Sequence, residues 1–508
     1  MSNRRERRHG GAAYRTPILL AVAGVLVVGV LLNHVGGKPG NQSVAALAPV
    51  PVAAPVQALS SSWFCAGATD NGTGNNPVYA PGAVVIANSG TTTASGTVTL
   101  VPSQGVNQTL PVTVGPGSST SVKEKVQGGS PWIGAIVDMD AGGVAVSQEI
   151  DGNLGWSATP CATSGSSTWY FATGFTMANA GVELSLLNPY PSDSVVDLSF
   201  TTNQGIETPE DFQGLVVPAD GMLSVNLGDH MRRRQAIATT VTARTGRVVA
   251  WKTDWALPPQ PGAVLFGTAA ASSPLADPDW PVAGVTDTLG SSSPGISWTW
   301  PDGVAGNGIM EQYLVYNPGP NTADVRLSIG LAQGQAEPFE FSVGPYQVQP
   351  VVSEQQARIP SGVPHSAVLV STNGVPVVAE RWVSAGAPSS WHGLGELPGG
   401  RLAASSWLVP DNRAGPNRRS VLVLYNPGDV PVNAGIETLT PGSTVALPGF
   451  RPTTVGPGQR VAVTINAYQL GTSPLEIRAT GPIYVESDTY GQNGATGIGL
   501  SFGVPLTP

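Results

Sequence analysis

Charge is scarce in this chain: of its 508 residues only 11% are charged, and lysine occurs only at Lys38, Lys123, Lys125 and Lys252. Ordinary soluble chains carry about 25%. The shortage excludes a long coiled coil, whose flanking positions need Glu and Lys, and an acidic disordered tail. Cysteine is nearly absent, at Cys65 and Cys161 alone. Two thiols fall short of the four ligands of a structural zinc site. Outside the cytoplasm an isolated pair is disulfide-bonded; two unrelated buried thiols are the alternative. A basic surface is lacking too. The net charge is −9, yet Arg4, Arg5, Arg7, Arg8 and Arg15 crowd the first fifteen residues, so the remainder is more acidic still. An acidic body excludes general nucleic-acid binding, which needs cations to displace counterions from phosphates. The one later basic run, Arg232 to Arg234, reads as a solvated loop. What abounds is Gly (64) and Pro (46), punctuation that cuts helices short and suits short strands joined by turns.

The single long apolar run is ILLAVAGVLVVGVLL, Ile18 to Leu32. Extended to Ala12 and Val35, it reaches the ~20 residues of a spanning helix. Nothing N-terminal exists to bury it as a core helix, and the arginines before it stay in the cytoplasm by the positive-inside rule. A cleaved signal peptide is the rival. Ala46-Leu47-Ala48 has the small-x-small form, but it lies well past the run and Pro49 follows it. The expectation is a cytoplasmic basic head (1–15), an uncleaved transmembrane signal-anchor (16–35) and an extended linker (36–60), with the C-terminal body extracellular.

Internal repetition organises the body. Trp63, Trp169, Trp298 and Trp407 each follow Ser or Thr and precede an apolar run ending at Asn88, Asn188, Asn317 and Asn426, at spacings of 25, 19, 19 and 19. A Val-x-Pro follows at Pro116, Pro218, Pro345 and Pro457. A Gly between two strand-like runs follows at Gly143, Gly246, Gly374 and Gly481. Alternating runs such as ADVRLSI (Ala323–Ile329) have the period of a half-buried strand. Strand-Gly-strand segments such as AVLVSTNGVPVVAE and LEIRATGPIYVES read as hairpins. Turn signals every 8–12 residues describe immunoglobulin-like sandwiches. The fold class expected is therefore all-β: a transmembrane helix, then four tandem immunoglobulin-like β-sandwich repeats at 61–163, 164–258, 295–400 and 401–508, touching as a semi-rigid stalk. Residues 259–294 are a linker or an added hairpin containing Trp280. A Cys65–Cys161 bridge would tie the first and last strands of repeat one.

The order Ser-Trp, apolar run with Asn-Pro-Gly, Val-x-Pro-Gly and Thr-Gly-Pro-Ile-Tyr-Val-Glu resembles a family of actinobacterial envelope proteins, domain of unknown function 5719. Ser-Ser-Trp-Phe-Cys (Ser61–Cys65) and the Cys161-Ala162 junction resemble it as well. The resemblance covers the chain after the anchor. It implies a single-pass membrane protein of a high-GC Gram-positive bacterium and supplies no catalytic residues.

Chemistry-bearing patterns are few. No nucleophile elbow, Walker loop, His-x-x-x-His or calcium loop occurs. His9, His34, His230, His365 and His392 read as packed or surface residues, since a base needs a nucleophile and an orienting partner. Glu149, Glu380 and Glu486 recur after the repeat glycine, with Lys252 at the matching place in repeat two. Carboxylates in different repeats make no glycosidase pair, so their expected role is structural. The repeated tryptophans read as core; the unrepeated Trp132, Trp280, Trp382 and Trp391 are candidate sugar-stacking contacts if exposed. The expectation is a non-enzymatic, membrane-anchored extracellular scaffold of the cell envelope, with no catalytic, cofactor or metal residues. Its expected partners are the membrane and an envelope protein or glycan. The alternative is a glycan-binding module array serving envelope polysaccharide assembly.

Overall fold

The computed structural model describes residues 50–70, 78–202, 205–268, 278–332, 334–441, 443–447, 450–468, 470 and 473–507. The expected head, anchor and most of the linker lie outside these residues. Ala48–Pro508 forms one compact unit. Among the described residues every regular element beyond short 3₁₀ turns is a strand, and no helix is long and apolar enough to cross a membrane.

The first set of strands shows the pattern: β1 (Ser61–Ala68), β2 (Gly82–Asn88), β3 (Ala94–Pro102), β4 (Gln108–Val114), β5 (Ser118–Lys123), β6 (Ile133–Met139), β7 (Val144–Gly152) and β8 (Gly155–Pro160). They form two antiparallel sheets, β1-β6-β3-β4 and β5-β2-β7-β8. The same two-sheet order recurs three more times along the chain. Strands of the β2 type are buried along nearly their whole length, as in Ala180–Asn188, because both of their faces are covered. β3-type strands alternate, as in Ala323–Leu331.

The tryptophans Trp63, Trp169, Trp298 and Trp407 are at most 3% exposed. The indole N–H of Trp169, Trp298 and Trp407 donates to the carbonyls of Val248 (2.7 Å), Val377 (3.1 Å) and Ile483 (3.1 Å), tying a sheet edge to the sheet crossing. The four asparagines are equally buried. Each Nδ2 donates to the carbonyl four residues on (Thr92, Ser192, Asn321, Val430, all 2.8 Å) and to that of Val114, Val217, Val343 or Val455. Each Oδ1 accepts the N–H two residues on, closing an Asx turn.

Two expectations are corrected. The strand-Gly-strand segments are not hairpins. His365–Ser371 pairs with Ser297–Trp300 and Ala323–Leu331, whereas Val378–Ala385 pairs with Ile309–Asn317 and Gly393–Pro398. The chain therefore crosses from one sheet to the other at Gly374, as it does at Gly143 and Gly246. In the fourth set one 17-residue strand, Leu475–Gly491, runs through both sheets. A crossing glycine and a hairpin glycine leave the same strand-Gly-strand trace.

The second correction concerns the stalk: the four sets close into a ring. β8 and its counterparts Gly284–Leu289, Gly393–Pro398 and Ile498–Phe502 pack against one another in cyclic order, the last returning to β8. Their glycine ends meet so closely that a Cβ on Gly155 would stand 3.0 Å from the Gly497 Cα. Residues 259–294, expected as a linker or hairpin, contribute Gly284–Leu289 to this ring, and Trp280 is buried there against Phe175 and Phe266.

Cys65 and Cys161 form a disulfide, Cα–Cα 4.9 Å. It ties β1 to the residue after β8. Closing a 96-residue separation stabilises by about 4–5 kcal/mol in the chain-entropy model.

Candidate functional site

Each joint of the ring carries a buried polar cluster, built where the β7-type strand of one set faces the segment after the tryptophan of the preceding set. Between sets two and three, Lys252 Nζ donates to Glu396 Oε1 (2.9 Å) and the Thr173 carbonyl (2.8 Å) and lies 3.0 Å from Asp254 Oδ2. Glu380 Oε2 accepts from the N–H groups of Ala172 (2.9 Å) and Thr173 (2.8 Å). Burial drives the Glu380 carboxyl well above its usual range, reinforced by the charge of Glu396. Burial likewise pushes Asp254 up to about 8. Burial opposes ionisation of Glu396 too, but Lys252 beside it holds its carboxyl low. The cluster thus centres on the Lys252–Glu396 ion pair, and burial disfavours ionisation of the Glu380 and Asp254 carboxyls beside it.

Between sets three and four, Arg381 donates to Glu486 Oε1 (2.6 Å), and Asp302 N donates to Glu486 Oε2 (3.0 Å). Tyr490 OH bridges Asp302 and Asp488 (3.2 Å each), and Arg460 pairs with Asp302. Burial, then the charge of Glu486, pushes Asp488 well up. Between sets four and one, Arg413 meets Glu149 (2.8 Å), and Arg418 pairs with Asp151. Burial still pushes Glu149 up to about 8. At the joint between sets one and two the polar groups bond within their own sets, Gln148 Nε2 donating to Glu124 (2.8 Å) and Trp251 Nε1 to Asp287 (3.1 Å), while Thr253 Oγ1 donates across it to the Gly67 carbonyl (3.1 Å). Burial raises Glu124 to about 8 and Asp287 to about 6.

Each recurring carboxylate lies in the cluster of a different joint, and two of the expected correspondences are shifted: Glu149 sits opposite Ala83, five residues before Asn88, and Lys252 is offset by one. Lys252 pairs in the ladder with Leu184, four residues before Asn188; Arg381 pairs with Tyr313, four before Asn317. Glu380 and Glu486 both sit opposite the residue three before their asparagine. Lys252 thus corresponds to Arg381 and faces the next set, while Glu380 faces the previous one. A one-residue offset on a strand reverses the face.

His365 Nε2 lies 2.9 Å from Glu311 and 3.2 Å from the Tyr313 hydroxyl, but both side chains of the His–Glu pair are 0% exposed. His230 faces Asp211 at the surface (3.1 Å), and the His392 carbonyl accepts the Gly497 N–H. His9 and His34 lie outside the described residues. Trp132, Trp280 and Trp382 are buried, and Trp391 stacks on Tyr490 at 3.9 Å. Among the described residues no group of three His, Cys, Asp or Glu is arranged to hold a metal ion.

At the far end of the four ring strands from their glycines lies an axial cavity of about 110 Å³. Every set contributes wall: Thr159 and Pro160; Thr288 to Ser291; Glu396 to Leu402 with Trp298; Leu500, Phe502 and Pro505 with Trp407. Val50 and Pro51 lie across it, where Ala53 N donates to the Pro505 carbonyl (3.0 Å). Arg401 is the cation on its wall, its guanidinium 5.0 Å over the Trp298 ring. Converging strands give the walls fixed positions, and mostly apolar walls favour a ligand with hydrocarbon surface. The cavity is not legible in the sequence, because its walls come from strands far apart along the chain. Their signal is a glycine fourteen residues before the next tryptophan: Gly155, Gly284 and Gly393 before Trp169, Trp298 and Trp407.

Fold and site define an all-β body of paired sheets, joined by buried ion clusters around an apolar axial cavity. The chain belongs to the Family of unknown function (DUF5719), whose profile matches residues 122–418. No curated protein matches it. Among solved structures, Thermotoga maritima 1070 is 23% identical over 21% of this chain and 95% of its own, at a TM-score of 0.20. The Anabaena sensory rhodopsin transducer is 20% identical over 18% of this chain and 96% of its own, at 0.16. The tandem CBM22 domains of Paenibacillus barcinonensis Xyn10C are 14% identical over 49% of this chain and 89% of their own, at 0.13.

Proposed function

We propose that this protein is a non-enzymatic binding scaffold of an actinobacterial cell envelope, held outside the membrane by an N-terminal signal-anchor. In this reading the four sets are immunoglobulin-like sandwiches. One observation carries it: the buried ion pairs Lys252–Glu396, Arg381–Glu486 and Arg413–Glu149 join the sets to one another, while the axial cavity has mostly apolar walls. Catalysis by acid, base or nucleophile needs such groups aimed into a cleft. The buried Cys65–Cys161 bridge supports an oxidising compartment. The arginine-rich head before the apolar run supports the orientation. Trp132, Trp280 and Trp382 are buried and the half-buried Trp391 stacks on Tyr490, which weighs against the glycan-binding alternative.

The test is protease added to wall-stripped intact cells expressing the full chain. The expected result is loss of the body while a cytosolic marker survives. Full protection of the body, with digestion after lysis, overturns the reading.

A further inference from the structure

We propose that the axial cavity binds an aliphatic anion, a hydrocarbon chain ending in one negative group, with Arg401 as its anion contact. The proposal rests on the binding-scaffold reading and adds the ligand's class.

The hydrocarbon part follows from the walls. Leu289, Leu397, Leu402 and Leu500 surround the space together with Trp407 and Phe502. An apolar cavity of about 150 Å³ already stays dry and takes up an apolar molecule, so about 110 Å³ with an open side accommodates a slender chain.

The anionic part follows from Arg401. The other buried cations each have a carboxylate: Lys252 has Glu396 and Asp254, Arg381 has Glu486, and Arg413 has Glu149. Arg401 donates only to neutral acceptors, the Ser293 carbonyl (2.7 Å), Ser293 Oγ (3.0 Å) and the Pro294 carbonyl (3.2 Å). Those bonds use three of its five N–H donors. Glu396 also lines the cavity, but its carboxylate is engaged by Lys252. A half-buried guanidinium with no carboxylate partner among the described residues, beside a hydrocarbon wall, is complementary to an amphiphile whose head is an anion.

Val50 and Pro51 complete the wall. Their segment is pinned by the Ala53–Pro505 bond and by Thr507 Oγ1 donating to the Ala53 carbonyl (2.8 Å).

The experiment uses the full chain in nanodiscs of zwitterionic phospholipid, so that the reading is a mapped position rather than partitioning. Decanoate carrying a terminal diazirine is photolysed on the protein, and the labelled peptides are identified by mass spectrometry. The expected label falls on the 396–402 and 498–505 peptides. Excess decanoate, or the substitution Arg401→Met, reduces it about tenfold, the worth of one charge-assisted hydrogen bond. Leu402→Trp, which fills the cavity and leaves Arg401 in place, reduces it as well. The matching diazirine alcohol labels the cavity weakly and equally in wild type and Arg401→Met. Label equal for carboxylate and alcohol, and indifferent to Arg401→Met, overturns the anion assignment while leaving the cavity a binding site. Absence of cavity label from both probes, in protein with the wild-type thermal midpoint, overturns the cavity as a site. The protease result on cells stands apart from either outcome.

Discussion

Replacing Lys252 by Met tests whether the joints are held by charge. The side chain is 0% exposed, and its ammonium is 2.9 Å from Glu396 and 3.0 Å from Asp254. Met keeps the length and removes the charge. Glu396, held ionised by Lys252, is then left buried without a cation, as breaking a buried pair always leaves one partner. That loss costs about 3–5 kcal/mol. Spread over a cooperative block of two adjoining sets, it lowers the thermal midpoint by about 10 °C. The body has several cores and need not melt as one transition, so differential scanning calorimetry is read together with hydrogen exchange at Ala172, Thr173 and the Gly393–Pro398 strand. Adding Glu396→Gln to Lys252→Met removes the stranded charge and recovers part of the midpoint, a coupling of the sign expected for residues in contact. If Lys252→Met melts within about 1 °C of wild type, or if the two substitutions simply add, the charge argument for the joints is refuted.

Two further outcomes follow from the same interior. Glu124, Glu149, Glu183 and Asp254 are raised to about 8, so between the ordinary carboxylate range and that value the folded body holds protons the unfolded chain has released. Stability should therefore fall as pH rises from about 5 to about 9; below about 4.5 it falls in the other direction as Glu311 and Glu396, which are held low, take up protons. A thermal midpoint that climbs steadily from about pH 5 to about pH 9 contradicts this. Gly497→Ala would place a Cβ 2.4 Å from Trp156 Cδ2 at a φ of +149°, and should cost about 1–3 kcal/mol as overpacking. Faster hydrogen exchange in both β8 and Ile498–Phe502 is the expected reading, with Gly435→Ala, whose nearest neighbour is 3.9 Å away, as the silent control.

Strand character was legible because alternation and turn chemistry are local. The spacing of the Asn marks has a local cause, since one side chain must close its own turn and reach a strand 26 to 29 residues on. The sheet crossings were not legible, because whether the chain folds back or passes over at Gly374 depends on which strands stand opposite. The Lys252 correspondence failed for a related reason: counting from Gly246 lands on Lys252, but ladder register decides the face. The closed ring left its trace in the glycines that precede the next tryptophan by fourteen residues. That spacing was readable, but nothing in it says that the last set returns to the first. The axial cavity shares this obscurity, since its walls come from positions as far apart as Thr159 and Pro505.

The return of Ile498–Phe502 to β8 also sets an order in time. A chain synthesised from its N-terminus presents the first set long before the fourth exists. Until then β8 is an uncovered sheet edge, and Trp156 and Glu149 lack Gly497 and Arg413. Neighbouring joints can form in sequence as synthesis proceeds, but the joint between sets four and one spans most of the chain and forms last. Contacts so distant in sequence make the closing step slow. The ring therefore cannot close before the fourth set has been made. The Cys65–Cys161 bridge, by contrast, needs only the first set, and it holds β1 to the end of β8 without the fourth.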